Sequence, residues 1–272
     1  MDAPGVFVEV SAGFRHACGL RADATIACWG RNTDSGTNRE GQLDAPSGRF
    51  TAVSAGNWHT CGLRVDATIA CWGDDREGRL EAPPGRYTAI SAGSGHACAL
   101  REGGFVDCWP PDSWGTRNVP PWRFAAVDAG DAHSCGLRAD GIIKCWGVQG
   151  YESLARGPSG RWDRLAVGGA RACGLRDEGT VTCNIGLWTH PELFDSAAVG
   201  WDHACGVRLD GSVACWNWGA DDPHGPEVPD YGQASPPPGR FEAVTAGGEL
   251  SCGLRGDGTV TCWGNVGPAS AG

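Results

Sequence analysis

Lysine is nearly absent from this chain of 272 residues: it occurs once, as Lys144, so almost all positive charge is arginine. The 22 basic residues are outnumbered by 32 acidic ones, giving a net charge of −10 and a pI near 5.1. That balance excludes nucleic acid as a partner, because its binders present basic stripes. No apolar run approaches the roughly 18 residues of a membrane span, so membrane insertion is not expected. Charged residues are only 20% of the chain, too few for an acidic disordered protein. Close C-x2-C or C-x4-C pairs of the zinc type are missing. So are a Ser/His/Asp motif, a glycine-rich phosphate loop and H-E-x-x-H; neither an enzyme nor a cofactor is implied. The opening "MDAPG" has no basic start followed by an apolar core, and reads as an initiator methionine on a mature chain.

What is abundant is cysteine, glycine and one phrase. "HACGLRADATIACWG" (16–30) recurs with variations six more times and accounts for all 14 cysteines. Cys18 is followed by Cys28, Cys61 by Cys71, Cys98 by Cys108 and Cys135 by Cys145. Cys173 is followed by Cys183, Cys205 by Cys215 and Cys252 by Cys262, always with nine residues between. Folding "CGLRADGIIKC" (135–145) about Asp140 sets Cys135 opposite Cys145 and Leu137 opposite Ile143. Ala139, Asp140 and Gly141 then form a three-residue loop, with glycine where φ is positive. Opposed residues on antiparallel strands stand about 4.5–5.5 Å apart, within reach of a disulfide. Were these merely small apolar core residues, some of the 14 positions would have drifted to Val or Ala, and none has. Seven intra-hairpin disulfides are expected, which places the protein outside the reducing cytosol, secreted or periplasmic.

The repeat extends beyond the phrase. A short strand ending in small residues precedes each first cysteine ("FTAVSAG", "YTAISAG"), and a turn-rich stretch such as "GRLEAPPGR" (78–86) follows, enough for a short fourth strand. Within the hairpin Cys18, Leu20, Ile26 and Cys28 share a bulky face, while Ala17 and Gly19 share a bare one. Roughly four short antiparallel strands per unit, a period near 40 and two buried faces predict an all-β, seven-bladed β-propeller in a single domain. Its repeats run approximately 6–48, 49–85, 86–122, 123–160, 161–192, 193–239 and 240–272. The first strand (7–11) is expected to help close the last blade.

The units resemble repeats of the regulator of chromosome condensation family, with a glycine, a histidine two before the cysteine, an "L…DG" hairpin and a "WG". Among its members the bacterial cysteine-paired repeats are most similar, and in architecture the secreted β-lactamase-inhibitory propellers. Departures are local: Arg171 and Leu250 replace the histidine in blades 5 and 7, "CNI" replaces "CWG" in blade 5, and Ala24 and Ala67 stand where the hairpin glycine is expected. By that resemblance His16, His59, His96, His133 and His203 are structural, hydrogen-bonding neighbouring backbone, although converging histidines could bind metal or sense pH. Arg21, Arg64, Arg101, Arg138, Arg176, Arg208 and Arg255 form a ring on the hairpin face. Asp23, Asp66, Asp140, Asp210 and Asp257, two residues on, should neutralise most of it.

Function is sought where the repeats disagree. Loops joining strands 1–2 and 3–4 emerge on one face of the disc, and that face alone is variable. It carries Phe14, Arg15, Trp58, Trp201, Asp202 and Glu249 in the 1–2 loops, and Trp114, Tyr151, Trp188 and Trp218 in the 3–4 loops. Trp122 and Trp162 are assigned instead to the aromatic position that opens strand 1. Variable loops on a rigid scaffold suit binding, and Trp and Tyr dominate interface hot spots. A monomeric protein-binding propeller is expected, an inhibitor of, or adaptor for, an extracellular enzyme. The alternative is a propeller lectin whose tryptophans stack on carbohydrate.

Overall fold

The computed structural model describes residues 3, 5–31, 41–111, 118–147, 157–184, 189–218 and 231–265. They form seven antiparallel sheets of three strands each, consecutive in the chain, with one 3-10 turn at Arg76–Gly78 as the only helical piece among them. Blade 1 contains an inner strand Phe7–Ala12, a middle strand His16–Arg21 and an outer strand Ile26–Gly30. The inner strands of the other blades are Phe50–Ala55, Tyr87–Ala92, Ala126–Ala129, Arg164–Gly168, Phe194–Val199 and Ala243–Ala246. Each packs against the next, and Ala243–Ala246 packs against Phe7–Ala12. The ring is closed.

Among the described residues the expected fourth strand does not form, beyond a single bridge from Thr189 to Thr182 in blade 5. Pro83 and Pro84 deprive the 78–86 stretch of ladder donors, and the stretch runs as turns. The connections are latched by the "WG" tryptophans instead. The Trp72 indole donates to the carbonyl oxygen of Gln42 (3.0 Å), Trp109 to that of Arg79 (2.9 Å) and Trp263 to that of Gln233 (2.8 Å). Nor does the first strand join blade 7. It pairs with Cys18 and its neighbours in its own blade, Ser11 facing Cys18.

The hairpins fold as their spacing predicts. Cys135 faces Cys145 and Leu137 faces Ile143, and Gly141 is left-handed at φ 81°. All seven disulfides are formed within their hairpins. Cys18 is bonded to Cys28, Cys61 to Cys71, Cys98 to Cys108 and Cys135 to Cys145. Cys173 is bonded to Cys183, Cys205 to Cys215 and Cys252 to Cys262. Their Cα atoms stand 3.9–4.0 Å apart, closer than the 4.5–5.5 Å expected of an ordinary cross-strand pair, and no cysteine is free.

Each core cluster belongs to a junction rather than to a blade. Cys18 and Leu20 of blade 1 pack on Phe50, Val53 and Trp72 of blade 2, and Leu250, Leu254 and Val260 of blade 7 pack on Phe7 and Trp29 of blade 1. The bare face exists to admit an aromatic ring: a Cβ on Gly19 or Gly253 would strike the ring of Phe7 or Phe241 in its own blade.

One hydrogen bond repeats at all seven junctions. The aromatic opening each inner strand donates its N–H to the carbonyl of the left-handed hairpin residue of the preceding blade, at 2.7–2.9 Å. Phe50 donates to Ala24, Tyr87 to Ala67, Phe124 to Gly104 and Trp162 to Gly141; Phe7 donates to Gly258 and closes the ring with the same bond. Trp122, assigned to that role, does not fill it. Phe124 does, and Trp122 is 43% exposed beneath the guanidinium of Arg138.

That bond explains why Ala24 and Ala67 keep the left-handed backbone of the missing glycines, at φ 69° and 67°. Their carbonyls must meet Phe50 and Tyr87. A Cβ there costs about 1–2 kcal/mol, offset in part by the greater freedom glycine loses on folding. Ala24→Gly and Ala67→Gly should therefore each stabilise the protein, by about 0.5–1 kcal/mol in denaturant titration. Thiol titration in denaturant without reductant should find no reactive thiol, and 14 after reduction.

Candidate functional site

The variable face is assembled by backbone hydrogen bonds between its two kinds of loop. In blades 1, 2, 6 and 7 the residue just past the outer strand donates to the carbonyl of the same blade's 1–2 loop: Arg31 to Arg15, Asp74 to Trp58, Trp218 to Asp202, and Asn265 to Glu249, at 2.8–3.0 Å. At the centre, glycines stand carbonyl to Cα. A Cβ on Gly13, Gly56, Gly93, Gly200 or Gly247 would strike the carbonyl oxygen of the corresponding glycine in the next blade.

This crowding draws three loop aromatics together. Phe14 lies 5.4 Å from Trp58 of blade 2 and 5.2 Å, edge to face, from Trp201 of blade 6. It crosses blade 7 because that blade's loop begins with Gly248, where a Cβ would collide with the Phe14 ring. All three rings are half-buried. Beside them Arg15 grips Glu249 through Nε to Oε2 (2.9 Å) and Nη2 to Oε1 (2.7 Å), and Asn265 adds 2.6 Å to Oε2. Burial works against ionisation of Glu249, but these hydrogen bonds hold its carboxyl below the usual range.

Trp218 and Asp202 make a further set of contacts, with Arg171. Arg171, in the histidine position of blade 5, lies 4.3 Å over the Trp218 ring, and Trp216 meets Trp218 at right angles. Burial raises the Asp202 carboxyl, opposed by Arg171. Trp114, Tyr151 and Trp188 lie outside the described residues. Asp74 is bound by Arg76 and Arg79, both at 2.8 Å; burial opposes ionisation, yet these partners keep its carboxyl low, so it is unsuited to donate a proton.

The histidine ring meets backbone in one blade, His133 at Arg171, and hydroxyls in three others. Nε2 of His16, His96 and His203 meets a hydroxyl of the following blade, Thr60 (2.8 Å), Ser134 (2.8 Å) and Ser251 (2.6 Å), not backbone. The sequence signal is "HTC", "HSC" and "LSC" one repeat later. No group of three metal-ligating side chains occurs among the described residues.

The arginine ring meets aromatics as well as the expected aspartates. Arg21, Arg64, Arg101, Arg176 and Arg255 stack over the aromatic that opens their own blade, 4.3–5.5 Å from the ring centre. Asp23, Asp66, Asp210 and Asp257 accept the N–H and hydroxyl two residues on, and the charges of Arg21, Arg64, Arg208 and Arg255 add to the lowering of their carboxyls, as the expected neutralisation requires. Arg138 does pair with its own aspartate, Asp140, at 3.1 Å.

Three stretches of the chain, 7–42, 50–79 and 124–151, match the family model described as Regulator of chromosome condensation (RCC1) repeat. These matched stretches fall in blades 1, 2 and 4. No curated protein matches the chain. Among solved structures, this propeller is similar to the entire ectodomain of the Physcomitrella patens receptor kinase CR4. Identity is 26% and the TM-score 0.75, over 94% of this chain and 73% of that one. The CRINKLY WD40 ectodomain of the Arabidopsis thaliana receptor kinase ACR4 superposes with a TM-score of 0.73 at 24% identity, covering 97% of this chain and all of that one. Yeast RCC1 (Prp20), solved with Kap60 bound, shares the fold at 14% identity and a TM-score of 0.63, over 94% and 80% of the two chains.

Burial pushes the ring histidines far down from the ordinary 6.5, His16 and His133 to about 4, His59 and His96 to about 3. Each stays neutral in the folded protein where the unfolded chain would protonate it. The stability they contribute is full above about pH 6.5 and declines as pH falls toward 4, by about 1.4 kcal/mol per pH unit per histidine. Asp128, raised by burial to about 6, acts oppositely between about 4 and 6, but it is one group against four. The denaturation midpoint should fall between pH 7 and 5, with net proton uptake on unfolding; a midpoint that rises would mean that the histidines are charged when folded.

Proposed function

We propose that this protein is a non-catalytic propeller of an oxidising, extracytoplasmic compartment that binds a protein through its variable face. The observation that carries the reading is the Phe14–Trp58–Trp201 cluster, three half-buried aromatics from three blades drawn over the centre of a cross-linked ring. Rigid aromatic anchors beside a charged pair, Arg15–Glu249, are the ingredients of an interface hot spot. Support also comes from the seven disulfides, which belong to oxidising compartments. Similar solved propellers are receptor-kinase ectodomains, and yeast RCC1 was solved with a protein bound. The finer reading is that the partner is an extracellular enzyme, which the propeller inhibits or to which it tethers other proteins. Sugar stacking is less well served among the described tryptophans of this face: Arg171 covers one face of Trp218, and Phe14 packs on Trp58 and Trp201.

A partner covering a standard interface of about 1,600 Å² would occupy one sector of the disc and should centre on this cluster. Trp58→Ala and Trp201→Ala should each weaken binding by about 2 kcal/mol or more. Arg64→Ala and Arg138→Ala on the opposite face should stay within about 0.5 kcal/mol. Affinity capture from culture filtrate, followed by titration of the captured protein against the four variants, decides between faces. Silent tryptophan changes in folded protein would reject this surface, and glycan binding with no protein captured would favour the lectin.

A further inference from the structure

The central channel opens among the 1–2 loops in a cavity of about 220 Å³, lined by the ends of the inner strands and by Asn57, Ser94, Asp131 and Trp201. Its wall is divided. Along blades 7, 1, 2, 3 and 4, one side chain of each inner strand accepts the backbone N–H of the next blade. Ala12 donates to Thr245 (3.1 Å); Ala55, Ala92 and Ala129 donate to Ser11, Ser54 and Ser91 (2.9 Å each); and Val167 donates to Asp128 Oδ2 (2.7 Å). Blades 5 and 6 have Ala166 and Ala198 in this row, and with Leu165 and Ala197 they make an apolar wall.

Asp128 breaks the hydroxyl pattern with a carboxylate. It receives Ser91 Oγ at 2.7 Å and the Ala129 N–H at 3.0 Å on Oδ1. Asp131 lies one loop above it, and no lysine, arginine or histidine lines the cavity among the described residues. A carboxylate enclosed without a counter-charge is unfavourable. Burial accordingly drives Asp128 to hold a proton up to about pH 6.

We propose that this cavity is a binding site for an alkyl cation, whose ammonium or guanidinium head is received by Asp128 and Asp131 while its stem lies on Leu165, Ala166, Ala197 and Ala198. A charged head on a short aliphatic stem suits a wall that is acidic and hydroxylic on one side and apolar on the other. The cation could arrive as a free small molecule or as a lysine or arginine side chain of a protein partner. The site adjoins the aromatic surface proposed above through Trp201, which belongs to both, but it is argued from Asp128 and the apolar wall and not from that reading.

Isothermal titration of the whole protein with n-butylguanidinium at pH 7 tests it. The expected result is saturable one-to-one binding, tighter than for guanidinium, whose head has no stem. Asp128→Ser is the informative variant, because it restores the residue used in blades 1 to 3, whose hydroxyl accepts the same kind of N–H, so the fold is retained. It should weaken binding by an order of magnitude or more. Asp131→Asn should weaken it several-fold, and Asp140→Asn on the opposite face should leave it unchanged. Affinity should also rise from pH 5 to 7 as Asp128 gives up its proton. Of the groups lining the cavity only Asp131 is otherwise titratable, since Ser91, Ala129 and Val167 around Asp128 are neutral. Glu9, outside that lining, is engaged with the Val53 N–H at 3.2 Å. No saturable heat, or undiminished binding in Asp128→Ser, overturns the proposal. Competition between n-butylguanidinium and a protein partner would trace the cation to that partner, and simultaneous binding would trace it to a free ligand.

Discussion

No blade of this protein can bury its own core. A three-stranded sheet with cysteine and leucine on one side and alanine and glycine on the other must lay its bulky side against the next sheet. Every core cluster accordingly spans a junction, as Cys18 and Leu20 do with Phe50 and Trp72. Stacking of this kind ends only when the last unit meets the first, and the bond from Phe7 to Gly258 is the same one that joins the other six pairs. The disulfide holds each hairpin in the register that keeps Cys and Leu on one side. In the chain-entropy account each short loop contributes at most about 2.5–3 kcal/mol.

That dependence reaches the hairpin face. The carbonyl of a left-handed residue must meet the next blade's aromatic N–H, so the turn conformation persists at Ala24 and Ala67 where its usual residue is missing. The arginine at the end of the middle strand covers that aromatic from outside. Both features look decorative in one blade, but the backbone bond recurs at all seven junctions and the arginine cover in five blades.

The variable face inherits its geometry from the same closure. Glycine carbonyls at the centre leave no room for a Cβ, so 1–2 loops from different blades come within contact distance of one another. Trp58 and Trp201 are 44 and 187 residues from Phe14 along the chain, yet both pack on its ring. Below them, replacing a hydroxyl by the Asp128 carboxylate turns a structural row into a place with charge to offer.

Much of this is legible in the sequence. The C-x9-C spacing dictates opposed cysteines, because an antiparallel hairpin with a three-residue loop admits no other pairing of those positions. From Cys61 and Cys71 to Cys252 and Cys262, each bridge lies where that spacing puts it. Strict alternation dictates two unlike faces, and seven copies dictate a ring. The fourth strand fails because turn-rich sequence can lie along an edge without a ladder, tied by one indole N–H. The first strand stays in its own blade because closure needs only the bond used at every other junction, not a borrowed strand. Local pattern nominates Phe14, Trp58, Trp201 and Trp218 alike, since each is an aromatic in a loop. Whether such a ring gathers with its fellows or lies under Arg171 depends on side chains one or more blades away. Repetition along the chain therefore determined the blade and its cross-links, while contacts across the ring decided which loop residues form a surface, because those contacts exist only once the ends of the chain have met.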